Sequence, residues 1–270
     1  MRKTILFLTI AMAPLAGFAQ DDGDDFGTEL SLEAVKKIDK KFTVGVEAEM
    51  RTRDDVKTVD RWSAGLSVGY KLLPWLKASA GYTFLYDNNE RISYFDEDDG
   101  KVQKGRVKVG DPKKCAEYWG VRHRFNVSLT GSWKINRLEL SLRERWQYTY
   151  RPEYTVDQRW SYCYVWNDEL QAYEGGWDGE EHTYRGKGKN VLRSRLMGEY
   201  KLSGIPATPY VSVEAFNAWN LEKIRFTAGA DWKINKKNTM GLYYRYQRVD
   251  NDSDNEPNRH VVGLSYKLKL

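Results

Sequence analysis

Beyond its first twenty residues the chain has no long apolar run. A bilayer-spanning helix needs roughly 20 consecutive apolar residues. No segment after the N-terminus reaches half of that, which excludes a helical anchor in the mature chain. Histidine is sparse: the 3 in the sequence are His123, His182 and His260, little material for chemistry in which a nucleophile and a base must meet within hydrogen-bond reach. There are only 2 cysteines, and no basic arm or RNA-binding motif. The net charge of +5 is spread too evenly to be a nucleic-acid footprint, so nucleic acid is not an expected partner. Aromatic side chains, in contrast, are plentiful. They make up 14% of residues, with Trp 10 and Tyr 18. That removes the disordered reading which 30% charged residues and a mean hydropathy of −0.71 would otherwise invite.

The N-terminal "MRKTILFLTIAMAPLAGFAQ" combines Arg2 and Lys3, an apolar stretch from Ile5 to about Ala13, and small residues at Gly17 and Ala19. This is the pattern of a secretory signal peptide over residues 1–19, cleaved after Ala19. The remainder, 20–270, suits one barrel or sandwich domain. An exported chain of that length is then either a soluble all-β domain or a β-barrel, which crosses a membrane without any long hydrophobic run.

Residues 42–53, "FTVGVEAEMRTR", favour the barrel. Phe42, Val44, Val46, Ala48 and Met50 share one face, while Glu47, Glu49, Arg51 and Arg53 share the other. Period-two alternation means a strand between two different solvents. The rhythm recurs from Trp62 to Leu72, Leu76 to Tyr86, Phe125 to Ile135, Ile224 to Ile234 and Val262 to Leu270. The opposite faces carry Arg122, Arg124, Arg143, Arg145, Arg193, Arg195, Glu199, Arg225, Asp231 and Arg245. Roughly eleven such strands are legible, each long enough to cross a membrane at a tilt. Short connections at 37–41, 73–75, 136–137, 203–209 and 235–238 alternate with longer polar ones at 54–60, 88–120, 151–189 and 250–258, and with a shorter one near Asn220. A soluble sandwich has no such asymmetry. The pattern predicts an all-β fold: an antiparallel transmembrane β-barrel with short periplasmic turns, long extracellular loops, a greasy wall and a charged lumen.

Trp62, Trp75, Trp133, Trp146, Trp219 and Trp232 fall near strand ends, where amphipathic rings favour the lipid interface. The last strand, "HVVGLSYKLKL", resembles the closing strand that the barrel-assembly machinery reads, with Leu270 in place of the usual aromatic. The stretches "TELSLEAVKKIDKKFTVGVEAEMRTR", "GYKLLPWLKASAGYTFLY", "RHRFNVSLTGSWKINRLELSLRERWQY" and "PYVSVEAF" are similar to Bacteroidetes outer-membrane barrels known only as a domain of unknown function, family twenty-four ninety. The resemblance implies fold and location and brings no active site with it. The expected setting is the outer membrane of a Gram-negative bacterium. Outer-membrane lipid and lipopolysaccharide surround the barrel, the assembly machinery is its partner in biogenesis, and the protein is a monomer.

One detail conflicts with that setting. If the closing strand descends to the periplasm, the first legible strand, at about 28–36, descends too, whereas single-chain bacterial barrels usually have even strand numbers. A count of about 12 strands is therefore expected, with 10 as the alternative. Either a further strand hides in the long loops, or the acidic "QDDGDDFG" segment threads the lumen.

The lumen arginines suggest a narrow, weakly anion-preferring pore, since clustered guanidinium groups raise the local anion concentration. Against this, Glu47, Glu49, Glu139, Glu199, Glu214 and Asp231 are available to pair with them and fill a modest interior. Cys115 and Cys163 lie in successive long loops, and an exported compartment permits a disulfide between them; two unpaired thiols are the alternative. The rings between Tyr148 and Tyr184 suit either a ligand platform or the packed core of a folded loop. Asp250, Asp252 and Asp254 have calcium-loop spacing, but Asn255 replaces the turn glycine and Val261 the bidentate glutamate, so no metal or cofactor is expected. His123 and Glu144 both take the lipid-facing phase. The "NR" turn sets Glu144 opposite Leu129, some six residues from His123, so no catalytic residue is assigned and no enzyme is expected. A lipid-modifying enzyme and a surface ligand-binding barrel are the rival readings.

Overall fold

The computed structural model describes residues 24–103, 106–167, 172–250 and 256–270. The signal-peptide segment and Asp252 and Asp254 of the acidic loop lie outside the described residues. Within them the chain is almost entirely strand. The elements are β1 (Asp25–Lys37), β2 (Phe42–Arg53), β3 (Thr58–Leu73), β4 (Leu76–Tyr94), a one-turn α1 (Gly100–Gln103), β5 (Pro112–Ile135), β6 (Leu138–Arg151), β7 (Tyr154–Asn167), β8 (Ala172–Tyr184), β9 (Lys187–Tyr200), β10 (Ala207–Ala218), β11 (Asn220–Lys233), β12 (Asn238–Val249) and β13 (Arg259–Lys269). They belong to two compact units, one of residues 24–85, 123–149 and 189–270, the other of residues 86–122 and 150–188.

The first unit is a closed barrel. Its strands follow one another as β4-β3-β2-β1-β13-β12-β11-β10-β9-β6-β5, and β5 pairs back onto β4. The ring thus holds 11 strands, between the expected 12 and the alternative 10. The number is odd because the seam is parallel: Asp25 to Val35 of β1 run alongside Arg259 to Lys269 of β13 in the same direction. Consecutive strands alternate in direction, so an odd total brings first and last together pointing the same way. The extra pair β7 and β8 leaves that parity unchanged. The pairings β1–β2, β2–β3, β9–β10, β10–β11, β11–β12 and β12–β13 are antiparallel.

Parallel pairing is slightly weaker per residue than antiparallel pairing, and side chains reinforce this seam at both ends. Asp25 forms an ion pair with Arg259 at 2.7 Å, and Glu33 accepts from Lys267 at 2.7 Å. The Asp25 amide donates to the Asn258 carbonyl at 2.9 Å, and the Leu270 amide to the Val35 carbonyl at 2.9 Å. The short connections gather at one end of the barrel. The Asp54–Lys57 turn, Trp219 and Asp250 lie at the other.

Burial is inside-out relative to a soluble protein. Leu66 and Val211 expose 61% and 62% of their surface on the outer wall, while Glu29 and Glu214 are 6% and 5% exposed inside. Closure lets neighbouring strands satisfy one another's backbone groups, and the apolar band outside matches lipid. Trp75 and Trp133 stack 6.4 Å apart at the turn end, and Trp62, Trp146 and Trp219 stand exposed towards the opposite end. Two girdles result, as the sequence suggested. Inside, Gly229, the partner of Tyr243 on β11, faces the Tyr243 Cβ and the Tyr210 ring, while the Tyr243 ring lies over Gly263, its partner on β13. A Cβ at Gly263 would meet that ring, so the glycine is what lets a large side chain lie flat there.

The second unit contains α1 and the β7–β8 hairpin, which stands where the sequence pattern predicts a long loop at 151–189. Two backbone partnerships, Lys114 with Ser161 and Cys115 with Trp160, tie the hairpin to β5. Ala116, Tyr118 and Val156 form a small core with Tyr184. The Tyr118 ring is sandwiched between Tyr154 and Tyr184, each 5.2 Å away. Of the rings between Tyr148 and Tyr184, Tyr184 packs against this core, as the packed-loop alternative has it, while Tyr150, Tyr154, Trp160 and Trp177 are exposed; the side chains of Tyr164, Trp166 and Tyr173 lie outside the described residues. The expected disulfide is not formed, and Cys115 and Cys163 are free. Cys163 lies three positions beyond Trp160, the partner of Cys115. That is about 10 Å along a strand, further than the roughly 7 Å a disulfide bridges.

Candidate functional site

The lumen side of the first unit carries a belt of guanidinium groups organised by two glutamates. Strand alternation points Arg143 and Arg145 of β6, Arg193 and Arg195 of β9, Glu214 of β10, Arg225 of β11 and Arg245 of β12 to the same side. Glu214 is the centre of one half. Its Oε1 accepts from Arg143 Nη2 at 2.5 Å, and its Oε2 from Arg193 Nη2 at 2.8 Å. Arg225 Nη1 stands 3.8 Å from Oε2. The Phe216 ring lies under both Arg193 and Arg225, with guanidinium carbons 4.5 and 4.8 Å from its centroid, a cation–π arrangement that holds the forks in place. Gln147 accepts from Arg193 at 2.9 Å and Gln247 from Arg225 at 2.7 Å.

Glu29 of β1 organises the other half. Its Oε2 lies 3.0 Å from Arg51 Nε and accepts from Arg245 Nη1 at 2.7 Å, while the Tyr243 hydroxyl donates to Oε1. Arg51 also meets Glu49 at 2.6 Å, and Arg245 stacks over Tyr243 at 4.9 Å. The belt therefore runs from β2 through β1, β12, β11, β10 and β9 to β6. Arg145 Nε then donates to the Ser128 hydroxyl of β5 at 2.9 Å.

Some residues expected in the cluster sit elsewhere. Glu199 and Asp231 lie towards the turn end, opposite Tyr210 and Gly241. Glu139 takes Lys201 at 3.1 Å, and Arg53 reaches Asp54 at 3.2 Å. Arg122 belongs to the second unit, where it meets Asp87 and Asn89, each at 2.9 Å. Glu47 and Arg124 point inward from β2 and β5. The sequence reading left out Glu29, Phe216, Gln147, Gln247 and Tyr243. Their inward phase was readable, but not their partners on other strands.

The 3 histidines are scattered. His123 shares a hydrogen bond with the Tyr82 hydroxyl at 2.8 Å on the outer wall. His260 lies 3.1 Å from Asp24 and 2.6 Å from the Tyr244 hydroxyl, and His182 packs edge-on against Tyr184. Glu144 stays on the lipid face, as its phase predicts, and accepts from the Ser194 hydroxyl at 2.6 Å. The two-residue turn at 136–137 keeps Glu144 about 20 Å along the hairpin from His123. Among the described residues no set of His, Cys, Asp and Glu is arranged to hold a metal ion. In the second unit a cleft of about 1080 Å³ is lined by Glu90, Ile92, Cys115 to Trp119, Tyr154 to Gln158 and Trp160.

The profile of the family described as "Protein of unknown function (DUF2490)" matches residues 26–259, nearly all of the barrel-forming chain. The chain belongs to this family. No curated protein matches it. Among solved structures, the translocator domain of the autotransporter NalP from Neisseria meningitidis is similar, at 14% identity over 93% of this chain and 94% of that one, with a TM-score of 0.44. The beta domain of the Bordetella autotransporter BrkA is similar at 12% identity over 83% and 78%, with a TM-score of 0.42. The outer membrane protease OmpT from Escherichia coli follows at 11% over 85% and 81%, with 0.39.

Proposed function

We propose that this member of the family is a narrow, anion-preferring pore in the outer membrane of a Gram-negative bacterium. The observation that carries the reading is the arginine excess in the lumen. Arg51, Arg143, Arg145, Arg193, Arg195, Arg225 and Arg245 face a belt whose paired carboxylates are Glu29, Glu49 and Glu214. An excess of fixed positive charge in a low-dielectric tube raises the concentration of small anions and repels cations. A ring of eleven strands is wider than the filled eight-stranded barrel and far narrower than a porin, which fits conduction of small solutes only. The proposal includes export by the 1–19 leader, insertion by the barrel-assembly machinery, and a monomer in lipid and lipopolysaccharide.

Planar-bilayer recording on the purified chain tests it. Small discrete conductance steps are expected, with a reversal potential in a potassium chloride gradient that reports chloride preference. Arg225→Gln should reduce that preference. An absence of steps at any voltage would make the belt a structural staple and the barrel a closed element.

A further inference from the structure

Within the belt, two arginines lack the partner a buried cation requires. Arg195 stands directly opposite Glu214 across the β9–β10 pair, yet that carboxylate is already engaged on both oxygens by Arg143 and Arg193. Arg195 makes no hydrogen bond or ion pair with any described residue, and its Nε is buried without an acceptor. Arg145 has the Ser128 hydroxyl and no carboxylate.

These side chains are neighbours. On the outer wall Ser194 bonds Glu144, so the residues flanking that pair, Arg193 and Arg195 on β9 and Arg143 and Arg145 on β6, adjoin on the inner side. Together with Arg225 they have Glu214 as their shared carboxylate. Among the described residues no other acid comes within ion-pair distance of any of them. Charges removed from bulk water need partners, and guanidinium forks match the oxygens of a tetrahedral oxyanion two at a time.

We propose that Arg145 and Arg195, with the Ser128 hydroxyl beside Arg145, form a binding site for a phosphate-class oxyanion on the inner wall of the barrel. Glu214 engages three of the five guanidinium groups, Arg143 and Arg193 by hydrogen bonds and Arg225 at 3.8 Å, and leaves Arg145 and Arg195 for the ligand. The inference rests on the arginine excess that supports the pore reading and names the anion that lingers there.

The test is calorimetric titration of the detergent-purified full chain with inorganic phosphate, in parallel with glycerol phosphate as a phosphate monoester. Saturable binding of inorganic phosphate is expected. Arg195→Gln and Arg145→Gln should each weaken it by about tenfold or more. Arg195→Lys, which keeps the charge and loses the fork, should weaken it as well, and Arg248→Gln, an exposed residue on the outer side of β12, should leave it unchanged. Binding of glycerol phosphate with the same sensitivity to Arg195 would extend the site to phosphate groups of larger molecules. A heat-modifiable gel band for each variant shows that its barrel has formed. The proposal is overturned if phosphate does not saturate, or if folded Arg195→Gln binds it as tightly as the parent. Current recording on the same preparation separates the two readings. Phosphate binding without conductance steps removes the pore alone, and steps without phosphate binding remove the site alone.

Discussion

Glu144 presents a carboxylate to lipid on the outer face of β6, where an unpaired charge is costly in a depth-dependent way. The Ser194 hydroxyl, one strand away, donates to it at 2.6 Å and recovers part of that cost. Ser194→Ala should therefore destabilise the barrel by about 1 kcal/mol, read as a lower midpoint for conversion of the folded to the unfolded gel band. Glu144→Leu should be neutral or stabilising, and in that background Ser194→Ala should cost nothing. A serine effect of the same size with and without Glu144 would show that the hydroxyl acts on something else. The lipid-facing phase of Glu144 was legible from alternation. Its partner, 50 residues away in the chain, was not, because a cross-strand contact depends on which strands end up adjacent.

At the scale of elements, the seam decides how the barrel closes. The sequence showed the conflict, since first and last strands read as descending together, but the habit of even strand numbers pointed to a hidden strand. Two strands were hidden, β7 and β8, and they pair with each other and β5 rather than entering the ring. The parallel register is directly testable by cross-linking. Ser31 and Ser265 face each other across the seam, so a Ser31→Cys, Ser265→Cys double variant should oxidise to a species with altered gel mobility that reductant reverses. Ser31→Cys with Arg259→Cys, whose register partner is Asp25, should not. The opposite result would mean that the ring closes in another register or through another strand. The mispredicted disulfide has the same origin as the strand count. Two cysteines in neighbouring loops appear close in sequence terms, and only the register of β5 against β7 shows them offset.

For the whole molecule, an apolar outer wall, paired aromatic girdles and a polar interior describe a protein whose folded state needs lipid or detergent. The purified chain should migrate as a compact band when unheated and shift to its full apparent mass after boiling. It should also fractionate with outer membranes. A soluble periplasmic protein with no shift would contradict the membrane reading and leave an exported sandwich with wet charged faces. The two compact units differ in kind: one is a ring held by backbone ladders and a lumen belt, the other a hairpin held to β5 around Tyr118. The second was the less legible, because aromatic density in a stretch between strands is compatible with a binding platform and with a core, and only ring-on-ring packing distinguishes them.

Local pattern alone determined that this chain is built of strands, which side of each meets lipid, and that arginine crowds the inner side. Those are consequences of a two-residue period, and the period is written in the order of the residues. The tertiary structure decided what depends on neighbours: an odd ring closed by a parallel seam, a glutamate that engages three arginines and passes over the one opposite it, and two free thiols. Each of these follows from strand adjacency and register, which link residues far apart in the chain and leave no signal in any single stretch of it.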